Sequence, residues 1–209
     1  MVAKELMSHP TYYHLLAELH RRRQPATYLE IGVHEGHSLG LVAPTTKVVG
    51  IDPEPKIVGD LDDHISIVTA TSDDYFASEA GQAPFGDAPI DMAFIDGMHH
   101  VEFALRDFIN IEARSAPGST VLIHDCMPID ETTASRERTT VIWSGDIWKL
   151  IPFLREHRPD LDVTVHDVEP TGLAEITNLD PSNTVLSDRY DDLVDALIAT
   201  PWPEDQPST

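Results

Sequence analysis

One cysteine, few cations and no long apolar run are the scarcities that first bound this 209-residue chain. The lone Cys126 excludes an intramolecular disulfide and any multi-cysteine zinc or iron–sulfur site, and is expected to be a small packed side chain. Lys and Arg number 14 against 36 Asp and Glu, a formal net charge of −22. Such a field repels phosphate backbones and anionic bilayers, so neither nucleic acid nor membrane is expected as a partner. It suits plain solubility, and it also suits a high-salt environment, where self-repulsion is screened. No segment approaches the roughly 20 apolar residues of a membrane span, and Met1–Met7 lacks the pattern of a secretory signal, so a cytoplasmic location is expected.

What is present is enough for a core. Hydrophobic residues make up 41% of the chain, and its length predicts a single domain over 1–209. Residues 1–25 read as a helical addition: Leu15, Leu16 and Leu19 recur at helical spacing, and Arg21–Arg23 end it, where cations complement the macrodipole. From Thr27 short strands alternate with helices. Strands are predicted at 27–31, 47–51, 64–68, 89–95 and 119–123, with helices over 38–43 and 101–115, the latter stopped by Pro117-Gly118. Repeated strand–helix–strand units imply a parallel sheet. Residues 127–145 have no period and read as a lid, and 146–155 as a helix interrupted by Pro152. Strands at 161–168 and 172–177 are joined by a turn short enough to make them antiparallel, and a last short helix spans 190–199. The predicted architecture is therefore α/β: a Rossmann-like, seven-stranded, mostly parallel sheet with an antiparallel terminal strand and an added N-terminal helix.

The first strand hands over to Glu30-x-Gly32-x-x-x-Gly36. Gly32 permits a tight turn and close backbone approach to a ligand, Gly36 permits close helix–strand packing, and a helix start offers free N–H groups to a carboxylate. Glu30 can accept from an ammonium group and disfavours a pyrophosphate, which points to a cofactor bearing an amino acid. Asp52 ends the second strand 20 residues after Gly32, where a carboxylate suits ribose hydroxyls or, more simply, caps the turn before Pro53. Ser72 and Asp73 follow the third strand and could reach an adenine, with Asp73 alternatively capping a helix.

Strands four and five end at Asp96 and at His124-Asp125, with His99 and His100 opening the helix between them. Ligands of open parallel sheets bind beyond these strand ends. Two carboxylates with imidazoles form a candidate divalent-cation site at Asp96, His124 and Asp125; the competing readings are a strand-end turn, helix caps and a His124 outside the ligand set. Trp143 could stack on an acceptor while Trp148 belongs to a core, and Arg136 and Arg138 could clamp an acidic acceptor or lie solvated in their loop.

The blocks Tyr28–Ser38, Val49–Asp52, Ala93–His100 and Val121–Asp125 resemble the class I S-adenosylmethionine-dependent methyltransferases. The resemblance is to the branch holding the metal-dependent macrolide-sugar O-methyltransferases and the cephalosporin-hydroxylase-like proteins. It implies S-adenosylmethionine bound at Glu30, Gly32, Ser38 and Asp52, to which the residue reading above adds Gly36, Ser72 and Asp73. It further implies a divalent metal, magnesium, beside catalytic Asp96 and His99, with His99 as base. The imidazole of His124 suits manganese, iron, nickel or zinc better, and magnesium or manganese is the expected ion. His34 stands where many members carry a third glycine, and His124 where they carry a further acid. The expected reaction is O-methylation of a small hydroxylated metabolite, the alternative a cofactor- and metal-binding protein without methyl transfer. A homodimer is compatible with the N-terminal helix.

Overall fold

The structure, a computed structural model, describes residues 10–203; Met1–His9 of the predicted N-terminal addition lie outside the described residues. Helix α1 (Tyr12–Arg23) precedes strand β1 (Thr27–Ile31), then come β2 (Lys47–Asp52) and β3 (Ile65–Thr69). Two short helices, α2 (Ser72–Ala77) and α3 (Glu79–Gln82), lead to β4 (Ile90–Ile95), α4 (Val101–Glu112) and β5 (Ser115–His124). The chain closes with α5 (Leu150–His157), β6 (Asp162–His166), β7 (Leu173–Thr177), α6 (Val185–Asp188) and α7 (Tyr190–Ala199).

The seven strands form one sheet in the order β3-β2-β1-β4-β5-β7-β6. Strands β1 to β5 pair in parallel, and β7 runs antiparallel to both β5 and β6. The expected Rossmann-like architecture stands, with the reversed strand inserted between β5 and β6 rather than at the edge. Alternation along the strands builds two cores. Leu29, Ile31, Ala93, Ile95, Val121 and Ile123 face α4, α5 and α7, whereas Tyr28, Met92, Phe94 and Leu122 face α1. On α4, buried Val101, Ala104, Leu105, Phe108 and Ile111 supply the matching stripe. No helix among the described residues is long and apolar enough to cross a membrane.

Three local expectations need correction. The helix predicted over 38–43 is only a 3-10 turn, Leu39–Leu41, because Gly40 weakens and Pro44 ends any longer run. Pro117-Gly118 does not stop α4, which ends at Glu112; the pair lies at the start of β5, where the β4–β5 register shifts between Ile90 and Met92. Pro152 is the third residue of α5, in the first turn where no N–H partner is lost, so it does not interrupt the helix. The arginines after α1 do more than face a helix end: Arg22 and Arg23 pair with Glu175 of β7.

Candidate active site

The C-terminal ends of β1 to β5 open on one cleft of about 870 Å³. Its floor begins at Gly32, whose φ of +87° and position leave no room for a side chain: a Cβ there would lie 2.0 Å from the Asp96 carbonyl oxygen. The turn after β1 therefore rests directly on the end of β4. His34, in the place of a third glycine, takes the same left-handed region at φ 47°. Its N–H donates to Asp52 Oδ2 at 2.8 Å, while Asp52 Oδ1 accepts from the Glu54 N–H at 2.8 Å. Asp52 thus caps the turn before Pro53 and lines the cleft at once. Ser72 and Asp73 line the same end, in the first turn of α2, and Arg106 clamps Asp73 through two hydrogen bonds.

Glu30 and Gly36 depart from expectation. Glu30 is fully buried under the turn, absent from the cleft wall, and both its oxygens accept hydroxyls, from Tyr28 at 2.7 Å and from Ser38. Neither of its oxygens lines the cleft. Burial without a cation pushes its carboxyl up to about 7, against the lowering effect of those two hydroxyls. Gly36, at φ +79°, shapes a left-handed turn; a Cβ there would press on Ile57 at 3.2 Å and touch Leu39 of the 3-10 turn at 3.7 Å, with no α-helix beside it. Ser38 is the member of this group that reaches the cleft.

At the other end, β4 and β5 deliver Asp96, His124 and Asp125, and the segment before α4 delivers His99 at φ 56°. Asp96 Oδ1 accepts from His124 Nδ1 at 3.1 Å and lies 3.5 Å from His99 Nε2. The carbonyl of Trp143 can only accept, so its 2.9 Å contact places a proton on His99 Nδ1 and leaves Nε2 facing Asp96. Asp125 Oδ2 stands 3.0 Å from the same Nδ1, and Thr171 donates its hydroxyl to Asp125 Oδ1. Burial opposes the charge on His124, yet Asp96 and Asp125 outweigh it and push the imidazole up to about 10. Burial likewise opposes ionisation of Asp96, but His124 and His99 hold its carboxyl well below the usual range. Burial opposes the charge on His99 as well, and the two carboxylates still raise its pKa.

Asp96, His124 and Asp125 each offer a ligand atom, all within 4.8 Å of one another. Two buried atoms of this group, His124 Nε2 and Asp125 Oδ2, have no hydrogen-bond partner among the described residues. A carboxylate oxygen and an imidazole nitrogen, once the latter gives up its proton, are what a divalent cation satisfies, so the residues fit one.

Residues 29–126 match the family model of a methyltransferase domain. The match covers just under half of the chain. No curated protein matches the sequence. Among solved structures, the fold is similar to that of the O-methyltransferase TomG from Streptomyces achromogenes, involved in tomaymycin synthesis and in complex with SAM. Identity there is 20%, TM-score 0.60, covering 81% of this chain and 80% of that one. The O-methyltransferase from Bacillus cereus in complex with SAH is similar at 15% identity and TM-score 0.58, covering 80% of each chain. Cofactor-bound Rv0187 from MTB is similar at 17% identity and TM-score 0.60, covering 80% and 79%.

Over the cleft lies the segment predicted as a lid. It is a fastened cover. Arg136 binds Glu102 and Asp146, Trp143 Nε1 donates to the Ser135 carbonyl, and buried Ser144 donates to the Thr133 carbonyl. Gly145 lets it sit on the site: a Cβ there would lie 1.8 Å from the His99 carbonyl oxygen. Trp143 stacks on His99 at 5.0 Å, while Trp148 is buried as expected. Sequence reasoning missed three contributors. Tyr12 of α1 lies against His124 at 4.1 Å, Thr171 orients Asp125, and Asp107 lines the cleft beside Ser72. Burial pushes the Asp107 carboxyl up to about 7, and one of its oxygens has no partner. Its signal was legible: an acid on the apolar stripe of α4, between Ala104 and Ile111.

Proposed function

We propose that this chain is a methyltransferase that binds S-adenosylmethionine and methylates a hydroxyl of a small acceptor, with a divalent cation held by Asp96, His124 and Asp125. The observation that carries the reading is one continuous cleft, lined at one end by Asp52, Ser72 and Asp73 and at the other by Asp96, His99, His124 and Asp125. The cofactor supplies a sulfonium-bound methyl group, and the cation supplies Lewis acidity that favours an ionised hydroxyl. Asp52 keeps lone pairs beyond those used by the His34 and Glu54 amides, and these accept the ribose hydroxyls. Ser72 and Asp73 border the adenine, and Ser38 and the bare backbone at Gly32 border the methionine end. His99 accepts the hydroxyl proton at Nε2, with Nδ1 anchored on the Trp143 carbonyl so that the ring keeps one orientation. The cover over residues 133–146 excludes water from that transfer. TomG and the Bacillus cereus enzyme, crystallised with SAM and SAH respectively, support the cofactor assignment.

Calorimetric titration tests it. The protein should bind S-adenosylhomocysteine and not NAD, and Asp52→Ala should weaken that binding about tenfold or more, the loss of at least one charge-assisted hydrogen bond. Equal affinity for NAD, or an Asp52→Ala variant that binds as before, would overturn the cofactor assignment. Chelation should suppress methyl transfer and be reversed by added cation; transfer indifferent to chelator would remove the metal.

A further inference from the structure

The outer end of the cleft is not used by any of these assignments, and its composition differs from the rest of the molecule. On a chain of net charge −22, Val141 is 92% and Ile142 44% exposed at the rim. Tyr12 and Trp143 form the walls further in, each ring lying against one histidine of the cluster, at 4.1 Å from His124 and 5.0 Å from His99. Exposed apolar side chains beside a cleft mark contact with an apolar ligand, and aromatic walls favour a flat one.

One cation stands in this setting. Arg138 is the only Lys or Arg among the residues lining the cleft. It is exposed, and no carboxylate among the described residues pairs with it; its one recorded contact is with the Trp143 ring, 5.9 Å from its centroid. Two positions earlier, Arg136 is consumed by Glu102 and Asp146. Among the described residues Arg138 therefore brings a positive charge without an acid partner to the cleft mouth, where an anion can pair with it.

We propose that the outer cleft takes a flat, mainly apolar acceptor carrying one anionic group, with Arg138 paired to that group and the reacting hydroxyl turned inward to His99. This rests on the methyl-transfer reading above and names its substrate class. In the transfer itself the acceptor O–CH₃ bond forms as the cofactor S–CH₃ bond breaks, the sulfonium leaves as a neutral thioether, and the hydroxyl proton passes to His99. The anion takes no part in that step; it fixes register.

The experiment uses full-length protein saturated with S-adenosylhomocysteine and two matched probes, 4-hydroxybenzoate and its neutral analogue 4-hydroxybenzamide, titrated calorimetrically. Wild type should bind the anion about tenfold more tightly, as expected for a charge-assisted pair at a partly open site. Arg138→Gln should erase that preference, keep the benzamide affinity and the S-adenosylhomocysteine affinity, and Arg138→Lys should restore part of it. Thermal unfolding of both variants should match wild type, since among the described residues Arg138 has no carboxylate partner and only the distant contact with the Trp143 ring. No preference in wild type, no binding of either probe, or a preference that survives in Arg138→Gln would each overturn the proposal, the last by placing the anion on the cluster instead. Failure of S-adenosylhomocysteine itself to bind would instead overturn the cofactor reading.

Discussion

Glu30 and Asp96 sit at the ends of neighbouring strands, β1 and β4, whose register pairs Glu30 with Phe94 and Ile31 with Ile95. Glu30 is fully buried and Asp96 largely so, and their carboxyls move in opposite directions. Glu30 has only two hydroxyls for partners, so desolvation dominates and its pKa climbs to about 7. Asp96 loses hydration too, but two imidazoles face it, and the ion pair more than offsets the burial. Burial by itself neutralises an acid; a cationic neighbour keeps it charged. The first environment suits a structural strut under a glycine turn. The second suits a site that must hold charge, whether a cation or a proton in transit.

Removing the imidazole proposed as base should have the largest effect on this contrast. His99→Gln should lower turnover by about 10²- to 10⁴-fold while leaving S-adenosylhomocysteine affinity unchanged. In wild type, turnover should rise with pH through a value above 6.5, because the base must lose a proton whose affinity Asp96 and Asp125 raise. Steady-state kinetics over pH check both, and a flat profile would remove His99 as base. Next, Asp96→Asn should cost about 3 kcal/mol of stability at neutral pH, since it leaves His124 buried without its main counter-charge. Urea denaturation measures that loss. The cost should shrink as pH rises from 6.5 through about 10, where wild-type His124 itself loses its proton and the pair no longer contributes.

The smallest effect belongs to Glu30, and its sign is reversed. A carboxyl whose folded pKa is raised above its unfolded value costs nothing at low pH and destabilises as pH climbs from about 4.5 to 7. Glu30→Gln should therefore match wild type near pH 4 and exceed it by about 2 kcal/mol near pH 8, read from the same denaturation curves. A variant less stable than wild type at pH 8 would mean that Glu30 is charged and supported in the folded protein, and the contrast with Asp96 would collapse.

Much of the frame was readable before any coordinates. Strand positions followed from short β-rich runs, and the reversed β7 from the brevity of the 169–172 turn, because both are local properties of the chain. Asp52, Ser72, Asp73, Asp96, His99, His124 and Asp125 all reach the cleft, since residues that end parallel strands or open the following helix must gather at one edge of the sheet. Gly32 was readable for the same reason: close approach of two strand-end loops requires a residue without a side chain.

Other features depended on contacts between distant segments. Glu30 points away from the cleft because pleating places it on the face of Tyr28, toward α1, a direction its spacing to Gly32 does not reveal. Arg136 and Arg138 look alike in sequence; only the fold brings Glu102 and Asp146 to the first and leaves the second free at the cleft mouth. Tyr12 and Thr171 reach His124 and Asp125 across more than 40 residues of chain, which no local period encodes. The sequence by itself determined the order of strands and the set of polar groups delivered to one edge, because backbone periodicity and turn chemistry act over a few residues. Tertiary structure alone decided which of those groups are charged, which are struts and which stay open to a ligand, because solvation and ion pairing depend on neighbours that only folding supplies.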